Sequence, residues 1–253
     1  MPMMMMMNNW RLWAPFLLLT LLSTTVPAQE TQVFNSFKAD YIVYRAGKKH
    51  GDAKRYLNVT NNRYQLGYSS DISWMIFSDK RQETSDFSVQ NGQIQPLRYI
   101  MQRSGSGPDR YYELNLDPVN KTLSEGKIKK TKAVSWQDDW QDQISYQLQL
   151  ALDLKAGKTE FHYNVLNRNG NSKMYHYKVV AEEMLPLPYG NINTIRIARS
   201  DSSNDKQVYA WLAPELDYML VRLWRGEDNV EQFDVQLHKL EWLQPQTQAN
   251  GSP

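Results

Sequence analysis

The sequence predicts a mainly β protein: a strongly curved antiparallel sheet, or partial barrel, with one principal mid-chain α-helix packed on it. Three observations lead to this prediction. Short segments rich in tyrosine, tryptophan and valine alternate with turn signals along most of the chain. Residues 142–154 have the apolar period of a helix, and two late segments are apolar on both faces.

The first half of the chain predicts a series of strands joined by hairpins. Apolar and polar residues alternate along them, and Asn61, Asn62 and the pair Asn91-Gly92 mark reversals. The predicted strands are 37–44, 53–59, 63–68, 86–89, 94–102, 111–116 and 122–129, with a turn at 47–51.

Residues 142–154 are predicted to form the helix. Apolar residues at 144, 148, 151 and 152 lie on one helical face, although the even positions also alternate as they would in a strand. Glutamine, leucine and alanine are good helix formers, Asp142 can cap the start, and Gly157 can stop the end. These features favour the helix.

The segment after the helix predicts a hairpin with a defined register. Apolar residues occupy odd positions in 161–165 and again in 175–179. Both sets share one face only if paired residue numbers sum to an even value, which excludes a two-residue turn at Asn169-Gly170. A three- or five-residue loop centred on Gly170 is favoured instead. Residues 185–190 are then predicted to break the sheet, with strands following at 192–199, 207–213, 218–225 and 230–242.

The chain begins with the pattern of an export signal. Arg11 precedes an apolar segment, residues 13–22, that is too short to span a bilayer, and Val26-Pro27-Ala28 is a small-x-small cleavage site. We therefore expect a signal peptide at 1–28, a single domain at 29–243 and a disordered tail at 244–253. No cysteine follows Ala28 to carry a lipid, and no later segment is apolar enough to cross a membrane. The expected product is a soluble periplasmic protein.

Composition argues against several classes of function. The chain has 29 Lys+Arg against 27 Asp+Glu, so no global field attracts nucleic acid. Cysteine is absent, so no disulfide framework supports the fold. The sequence contains no nucleophile elbow and no other catalytic motif. We expect no catalytic residue, no cofactor and no enzymatic activity.

Three aspartates supply the enzymatic alternative. Asp138, Asp139 and Asp142 are flanked by Trp136 and Trp140. A glycan-cleaving site needs a proton donor and a base beside a sugar-stacking platform. Acidic residues before a helix also cap it and complement its dipole, and this interpretation is favoured. An envelope glycan hydrolase is the alternative.

Histidines and lysines offer two further candidate sites. His162 and His176 are predicted on the same polar face, diagonally across the hairpin, where they could hold a metal. Because no third ligand is visible, solvent-facing positions are favoured. A basic run could touch an anionic surface such as lipid headgroups, but lysines at a sheet edge are favoured because they block unwanted pairing. The run comprises Lys127, Lys129, Lys130 and Lys132.

Aromatic residues of the late strands are the candidate ligand-binding residues. Strands 207–213 and 218–225 are apolar on both faces, so both faces should be buried, under the helix or around an enclosed ligand. Cover by the helix is the simpler alternative, and a curved sheet around a lipid-like ligand is the functional one. The candidates are Tyr209, Trp211, Tyr218 and Trp224.

The second half of the chain contains six short patterned motifs: Asp142-x-Ile-Ser-Tyr-Gln-Leu, Lys173-x-Tyr-x-Tyr177, Glu183-x-Leu185, Pro188-x-Gly190, Trp211-Leu-Ala-Pro214 and Tyr218-Met-Leu-Val-Arg222-Leu. These motifs resemble one bacterial family, the domain of unknown function 3108 (DUF3108). The resemblance is strongest from Gln141 to Leu240 and implies an exported bacterial protein with a mostly antiparallel β fold and a mid-chain helix. Comparison with the curved sheets of periplasmic lipoprotein carriers is by fold analogy.

Together these features favour an exported, non-enzymatic binding or envelope-support protein. Its concave sheet face would hold an apolar or amphipathic ligand, or a partner protein. A purely structural interaction domain is a further alternative, and it would show an exposed apolar patch or an unpaired edge strand.

Overall fold

The computed structural model describes residues 32–126, 130–132, 134–167, 169–200, 205–228 and 230–244. The predicted signal peptide and residues 245–253 of the predicted tail lie outside this part of the chain. The described elements are β1 (Phe37–Arg45), β2 (Lys48–Thr60), β3 (Arg63–Trp74), β4 (Phe77–Gln90), β5 (Gln93–Gly105), β6 (Arg110–Asp117), β7 (Thr122–Glu125), β8 (Lys130–Lys132), β9 (Trp140–Gln141), α1 (Tyr146–Lys155), β10 (Glu160–Leu166), β11 (Ser172–Leu187), β12 (Gly190–Arg199), β13 (Lys206–Ala213), β14 (Met219–Glu227) and β15 (Val230–Trp242), with a 3-10 turn at Pro214–Leu216.

The strands form one long sheet in which β1 lies near the middle. From β1 the chain passes strand by strand to β8 at one edge, crosses through β9 and α1, and returns from β10 to β15. β15 then pairs antiparallel with β1, so the two ends of the domain are joined by hydrogen bonds. Every pairing is antiparallel except that of β9 with β10. The predicted mainly β fold with one helix is confirmed.

Irregular pairings along the sheet help to curve it. The register shifts between Val43 and Tyr44, between Asp86 and Phe87, and between Trp211 and Leu212. Each bulge adds a residue to one strand and bends it locally, which lets a long sheet wrap around a core instead of lying flat.

The helix lies between the two halves of the curved sheet. Its residues Leu148 and Leu154 belong to two different buried clusters, one built mainly on β1–β7 and the other on β10–β13. The Gln149 side chain accepts a hydrogen bond from the Ile94 amide at 2.7 Å, and the Tyr163 hydroxyl donates to Asp153 at 2.9 Å. The helix prediction is confirmed, with α1 starting at Tyr146. No helix among the described residues is long and apolar enough to span a membrane.

The β10–β11 hairpin confirms the predicted parity of the register but not its centre. Phe161 pairs with Tyr177 and Leu166 pairs with Ser172, so the five-residue loop 167–171 is centred on residue 169, one before Gly170. His162 pairs directly with His176 rather than diagonally. The apolar face of the hairpin determined whether paired residue numbers sum to an even value. The residue at the centre of the loop depended on the conformation of the turn.

Three predicted boundaries were wrong. The predicted turn at 47–51 is a two-residue turn at 46–47, because β2 begins at Lys48, which pairs with Arg45. The predicted break at 185–190 is instead the end of β11, a two-residue turn and the start of β12, because Leu185, Leu187 and Ile192 are buried together. The predicted strand at 122–129 ends at Glu125, where Gly126 takes a positive φ of 66°. The sequence analysis also missed the long extensions of β3 to Trp74 and of β4 back to Phe77.

Candidate ligand-binding cavity

An interior cavity of about 340 Å³ lies between the sheet and the segment that leads into α1. One of its walls is apolar, built by the inward-facing residues of β3, β14 and β15, and Ile144 covers it from the helix side. Ligand pockets in proteins typically have volumes of roughly 300–1,000 Å³, so this cavity is at the small end of that range. Such pockets combine apolar walls with a few polar groups. The apolar wall comprises Leu66, Ile72, Leu220, Leu223, Phe233 and Val235.

Arg55 is the principal polar feature of the cavity. Alternation along β2 turns it inward between Ala53 and Leu57, and only 6% of the residue is exposed. Its Nη2 nitrogen has no hydrogen-bond partner among the described residues. The nearby Tyr41 hydroxyl donates to the Leu220 carbonyl at 2.7 Å. Burial raises the pKa of Tyr41, and the charge of Arg55, together with a hydrogen bond between the two side chains, partly offsets that rise.

A second cation in the cavity is already neutralised. Arg81 Nε lies 2.6 Å from Glu83 Oε1, an ion-pair contact whose angle is too bent for a hydrogen bond. The Tyr99 hydroxyl donates to the other oxygen of Glu83 at 2.5 Å. Burial, with the adjacent Glu83 charge, raises the pKa of Tyr99 far above its usual range, so the phenol stays a donor.

Two cations and two carboxylates line the cavity, but both carboxylates are held by arginines other than Arg55. Glu83 balances Arg81, and Asp79 is held by a two-pronged contact with Arg103 at 2.9 and 2.8 Å. Arg55 is left without a carboxylate partner in the described part of the chain. A buried guanidinium with an unsatisfied N–H costs the folded state free energy unless an anion or another acceptor meets it.

Asp142 lies in the turn that leads into α1, three residues before the N-cap residue Ser145. It is fully buried and accepts hydrogen bonds from the Ser85 hydroxyl at 2.5 Å and from the amides of Ile144 and Ser145 at 2.9 and 2.8 Å. Desolvation raises the pKa of its carboxyl to about 6. Asp142 therefore caps the turn that precedes α1, and the helix itself has no side-chain capping hydrogen bond at Ser145.

The other two acidic candidates lie apart from this buried position. Asp138 and Asp139 are exposed, and Asp138 accepts a hydrogen bond from the Trp136 indole at 2.8 Å. The Trp136 and Trp140 rings contact one another edge to face, with centroids 5.1 Å apart.

Three of the four predicted ligand-binding aromatics come together, on the face opposite the cavity. The Tyr209 ring lies 6.1 Å from Trp211 and 5.6 Å from Trp224. The Trp211 indole donates to Glu183 at 2.8 Å, and the Trp224 indole donates to Glu231 at 2.9 Å. Because Leu223 lines the cavity, its strand neighbour Trp224 faces the other way.

Tyr218 is separated from the other three aromatics. It precedes β14 with a positive φ of 58° and packs against the cluster that contains Leu154 of α1. Both faces of β13 are buried because other residues pack against each of them. Leu212 contacts the helix-side cluster, while Trp211 is buried in the other cluster with Leu185 and Ile192.

The histidine and lysine candidates occupy the hairpin and an edge strand. The Nδ1 atoms of His162 and His176 lie 2.7 Å apart on exposed side chains. No group of three or more potential metal ligands occurs among the described residues. Lys130 and Lys132 lie in β8, the outermost strand at one end of the sheet, as the edge interpretation predicts. Lys127 and Lys129 lie outside the described residues.

The sequence analysis missed the residues that define the cavity. Arg55 interrupts an otherwise small or apolar inward series on β2, and the inward series of β4 carries the charged residues Asp79, Arg81 and Glu83. A charge at an inward position of a strand was the available signal. It becomes visible only when the strand's buried face is known.

A comparison with solved structures shows the same fold elsewhere. A crystal structure of a beta-barrel-like protein of the domain of unknown function DUF1849 from Brucella abortus matches with a TM-score of 0.58 and 10% identity, covering 83% of this chain and 99% of that chain. A second structure, from Parabacteroides distasonis ATCC 8503, covers 82% of this chain and 96% of that chain with a TM-score of 0.32 and 9% identity. The second likeness is too weak to carry an argument. No curated protein matches the chain.

A family comparison agrees with the motifs. The sequence profile of DUF3108, described as a protein of unknown function, matches residues 40–233, which run from β1 into β15 and include every residue that lines the cavity except Val235. The chain therefore belongs to the DUF3108 family.

Proposed function

We propose that this protein is a non-enzymatic binding protein that holds an amphipathic anion in its interior cavity. The observation that carries the proposal is the unpartnered Nη2 of Arg55 inside a cavity with an apolar wall. A carboxylate or phosphate headgroup would accept hydrogen bonds from Arg55, and an acyl chain would contact the apolar wall.

The chemistry of the cavity favours an anionic headgroup over a neutral one. Arg55 is nearly buried and bears a permanent charge, so an ion pair there is screened little by solvent. Hydrogen bonds to charged groups contribute about 1.5–3 kcal/mol, which corresponds to roughly 10- to 100-fold in affinity. The apolar wall by itself would bind an alcohol and an acid of equal chain length similarly.

Calorimetric titration with matched ligands tests the proposal. The chain is unfolded in denaturant, refolded to remove bound lipid, and titrated with decanoate, decyl phosphate and decanol. We expect the two anions to bind at least roughly tenfold more tightly than decanol. Decanoate and decyl phosphate distinguish a carboxylate from a phosphate preference. Absence of binding by all three ligands would overturn the proposal.

Two arginine variants separate a specific headgroup contact from general charge. Arg55→Gln should lose the preference for anions while its decanol affinity stays unchanged. Arg196→Gln is the matched control, because Arg196 also carries an unsatisfied Nε but stacks on Tyr209, away from the cavity. The proposal is wrong if Arg55→Gln binds decanoate as tightly as the wild type does.

We further propose that the protein is exported to the periplasm after cleavage behind Ala28. The support is the apolar segment 13–22 and the small-x-small site, together with the family resemblance. Cell fractionation followed by N-terminal sequencing should give a periplasmic product that begins at Gln29. A cytoplasmic product that still contains residues 1–28 would contradict this.

A further inference from the structure

We propose that the β3–β4 turn is a docking tip that inserts into the surface of an anionic lipid bilayer. The docking tip consists of Trp74, Met75, Ile76 and Phe77, whose exposed fractions are 40, 86, 87 and 59%. Four consecutive large apolar side chains at one turn form an exposed apolar patch, and such patches on folded proteins mark sites of interaction. This inference goes beyond ligand binding in the cavity and does not require the cavity to be occupied.

The docking tip is held in place by the neighbouring loop. The Ser106 hydroxyl accepts a hydrogen bond from the Ser78 amide at 2.7 Å and donates to the Ile76 carbonyl at 3.1 Å. The Ser106 amide also donates to the Ser78 carbonyl at 2.9 Å. Trp74 and Phe77 pair across the base of the turn. Met75 and Ile76 therefore project from a hydrogen-bonded base rather than from a free loop.

The side chains around the tip follow the order of the layers in a bilayer. Met75 and Ile76 at the apex are aliphatic and almost fully exposed, as insertion into acyl chains requires. The aromatic Trp74 and Phe77 flank them, and aromatic rings concentrate at the membrane–water interface. Arg45 stacks on Trp74, with its guanidinium 4.3 Å from the ring centroid, where it can meet phosphate headgroups.

Charge on the adjacent β1–β2 hairpin favours an anionic membrane. Lys48 and Lys49 are exposed there, and the His50 ring contacts Trp74 with centroids 6.4 Å apart. Lys49 is also held by Asp52 at 2.7 Å. Each cation near an anionic surface adds attraction that falls off within a Debye length. A convex apolar apex beside cations fits a lipid surface better than it fits the groove of a protein partner.

The docking tip lies beside the opening of the interior cavity. A cleft of about 520 Å³ behind it is lined by Trp74 and Phe77, and shares Ile72, Asp79 and Phe233 with the cavity. A tip inserted in a bilayer would therefore bring the cavity to the lipid surface.

Vesicle co-sedimentation with the full chain tests the docking tip. Vesicles of phosphatidylethanolamine and phosphatidylglycerol should bind the wild type more strongly than vesicles of phosphatidylcholine, and the tryptophan emission should shift to shorter wavelength on binding. The double variant Met75→Ser, Ile76→Ser should lower the partition coefficient by roughly tenfold or more, because both side chains lose their apolar contact. Val119→Ser is the matched control, since Val119 is also 87% exposed, in the β6–β7 turn at the opposite end of the sheet.

Three results would overturn the proposal. One is a wild type that binds neither kind of vesicle, and another is a double variant that binds as well as the wild type. The third is a wild type that does not bind vesicles but self-associates as its concentration rises, while the double variant does not self-associate. That result would assign the docking tip to a contact between copies of this chain. Neither Met75 nor Ile76 lines the cavity, and an unchanged urea unfolding curve of the double variant shows intact folding, so this test stays separate from that of ligand binding.

Discussion

Asp142→Asn should stabilise this protein at neutral pH, although it removes a charged, hydrogen-bonded side chain. The Oδ1 atom accepts both backbone hydrogen bonds, from Ile144 and Ser145, and an asparagine oxygen can accept the same two. Oδ2 only accepts from the Ser85 hydroxyl, which can instead accept from an asparagine N–H. The substitution thus preserves every contact and removes the cost of burying a negative charge.

The magnitude follows from the raised pKa of the Asp142 carboxyl. The pKa rises from an ordinary 3.8 to about 6 because the group is desolvated. At about 1.4 kcal/mol per pH unit, the ionised carboxylate costs the folded state about 3 kcal/mol. Between about pH 4 and 6 the folded protein retains a proton that the unfolded chain has released, so this group's contribution to stability is fully present below pH 4 and is lost as the pH rises through 6.

Urea unfolding followed by tryptophan fluorescence measures this effect. The stability difference between Asp142→Asn and the wild type should approach zero near pH 4 and grow to about 3 kcal/mol near pH 8. Asp138→Asn, at an exposed position, is the control and should stay within about 0.5 kcal/mol of the wild type. A difference that is independent of pH, or one in which the wild type gains on the variant as the pH rises, would refute the reasoning.

Three further substitutions test the packing by the same urea assay. Leu57→Ala should cost about 2–5 kcal/mol, because the side chain is completely buried and leaves a void; an effect below that range would contradict its place in the core. Gly67→Ala should cost about 1–3 kcal/mol, because a methyl group there would overlap the Tyr56 ring, and the cost should shrink in a Tyr56→Ala background. Arg222→Ala should cost about 3 kcal/mol of stability. The Arg222 guanidinium donates to both oxygens of the buried Asp234 carboxylate at 2.8 Å, and the substitution leaves that charge without it. Recovery of stability in the variant Arg222→Met, Asp234→Leu would show that the cost lies in the unpaired charge.

Residue periodicity predicted those parts of the fold in which one face is buried. The parity of the β10–β11 register followed from apolar residues at odd positions, because a slip by one residue would turn all of them to solvent. The helix was predicted against an equally good strand alternation by its helix formers and by Gly157, where φ is +82°. The docking tip was missed because four consecutive apolar residues have neither a strand nor a helix period.

Predicting the candidate site from sequence was harder, because its chemistry depends on which face each strand buries. The aromatic pairs of β13 and β14 were assigned to a ligand, yet Trp211 and Trp224 face away from the cavity and donate to glutamates. Arg55, in contrast, lies in an ordinary alternating strand and gives no motif. Its importance arises from the missing partner of its Nη2, which depends on residues of distant strands.

The sequence by itself determined the mainly β class, the position of the helix and the family, and it predicted export. These properties depend on local patterns that repeat along the chain: side-chain period, turn residues and short motifs. Only the tertiary structure decided that β1 pairs with β15, that the curved sheet encloses Arg55, and that the docking tip stands beside the cavity. Such contacts join residues far apart in the chain, and their stability comes from burying surfaces that no single segment can bury alone.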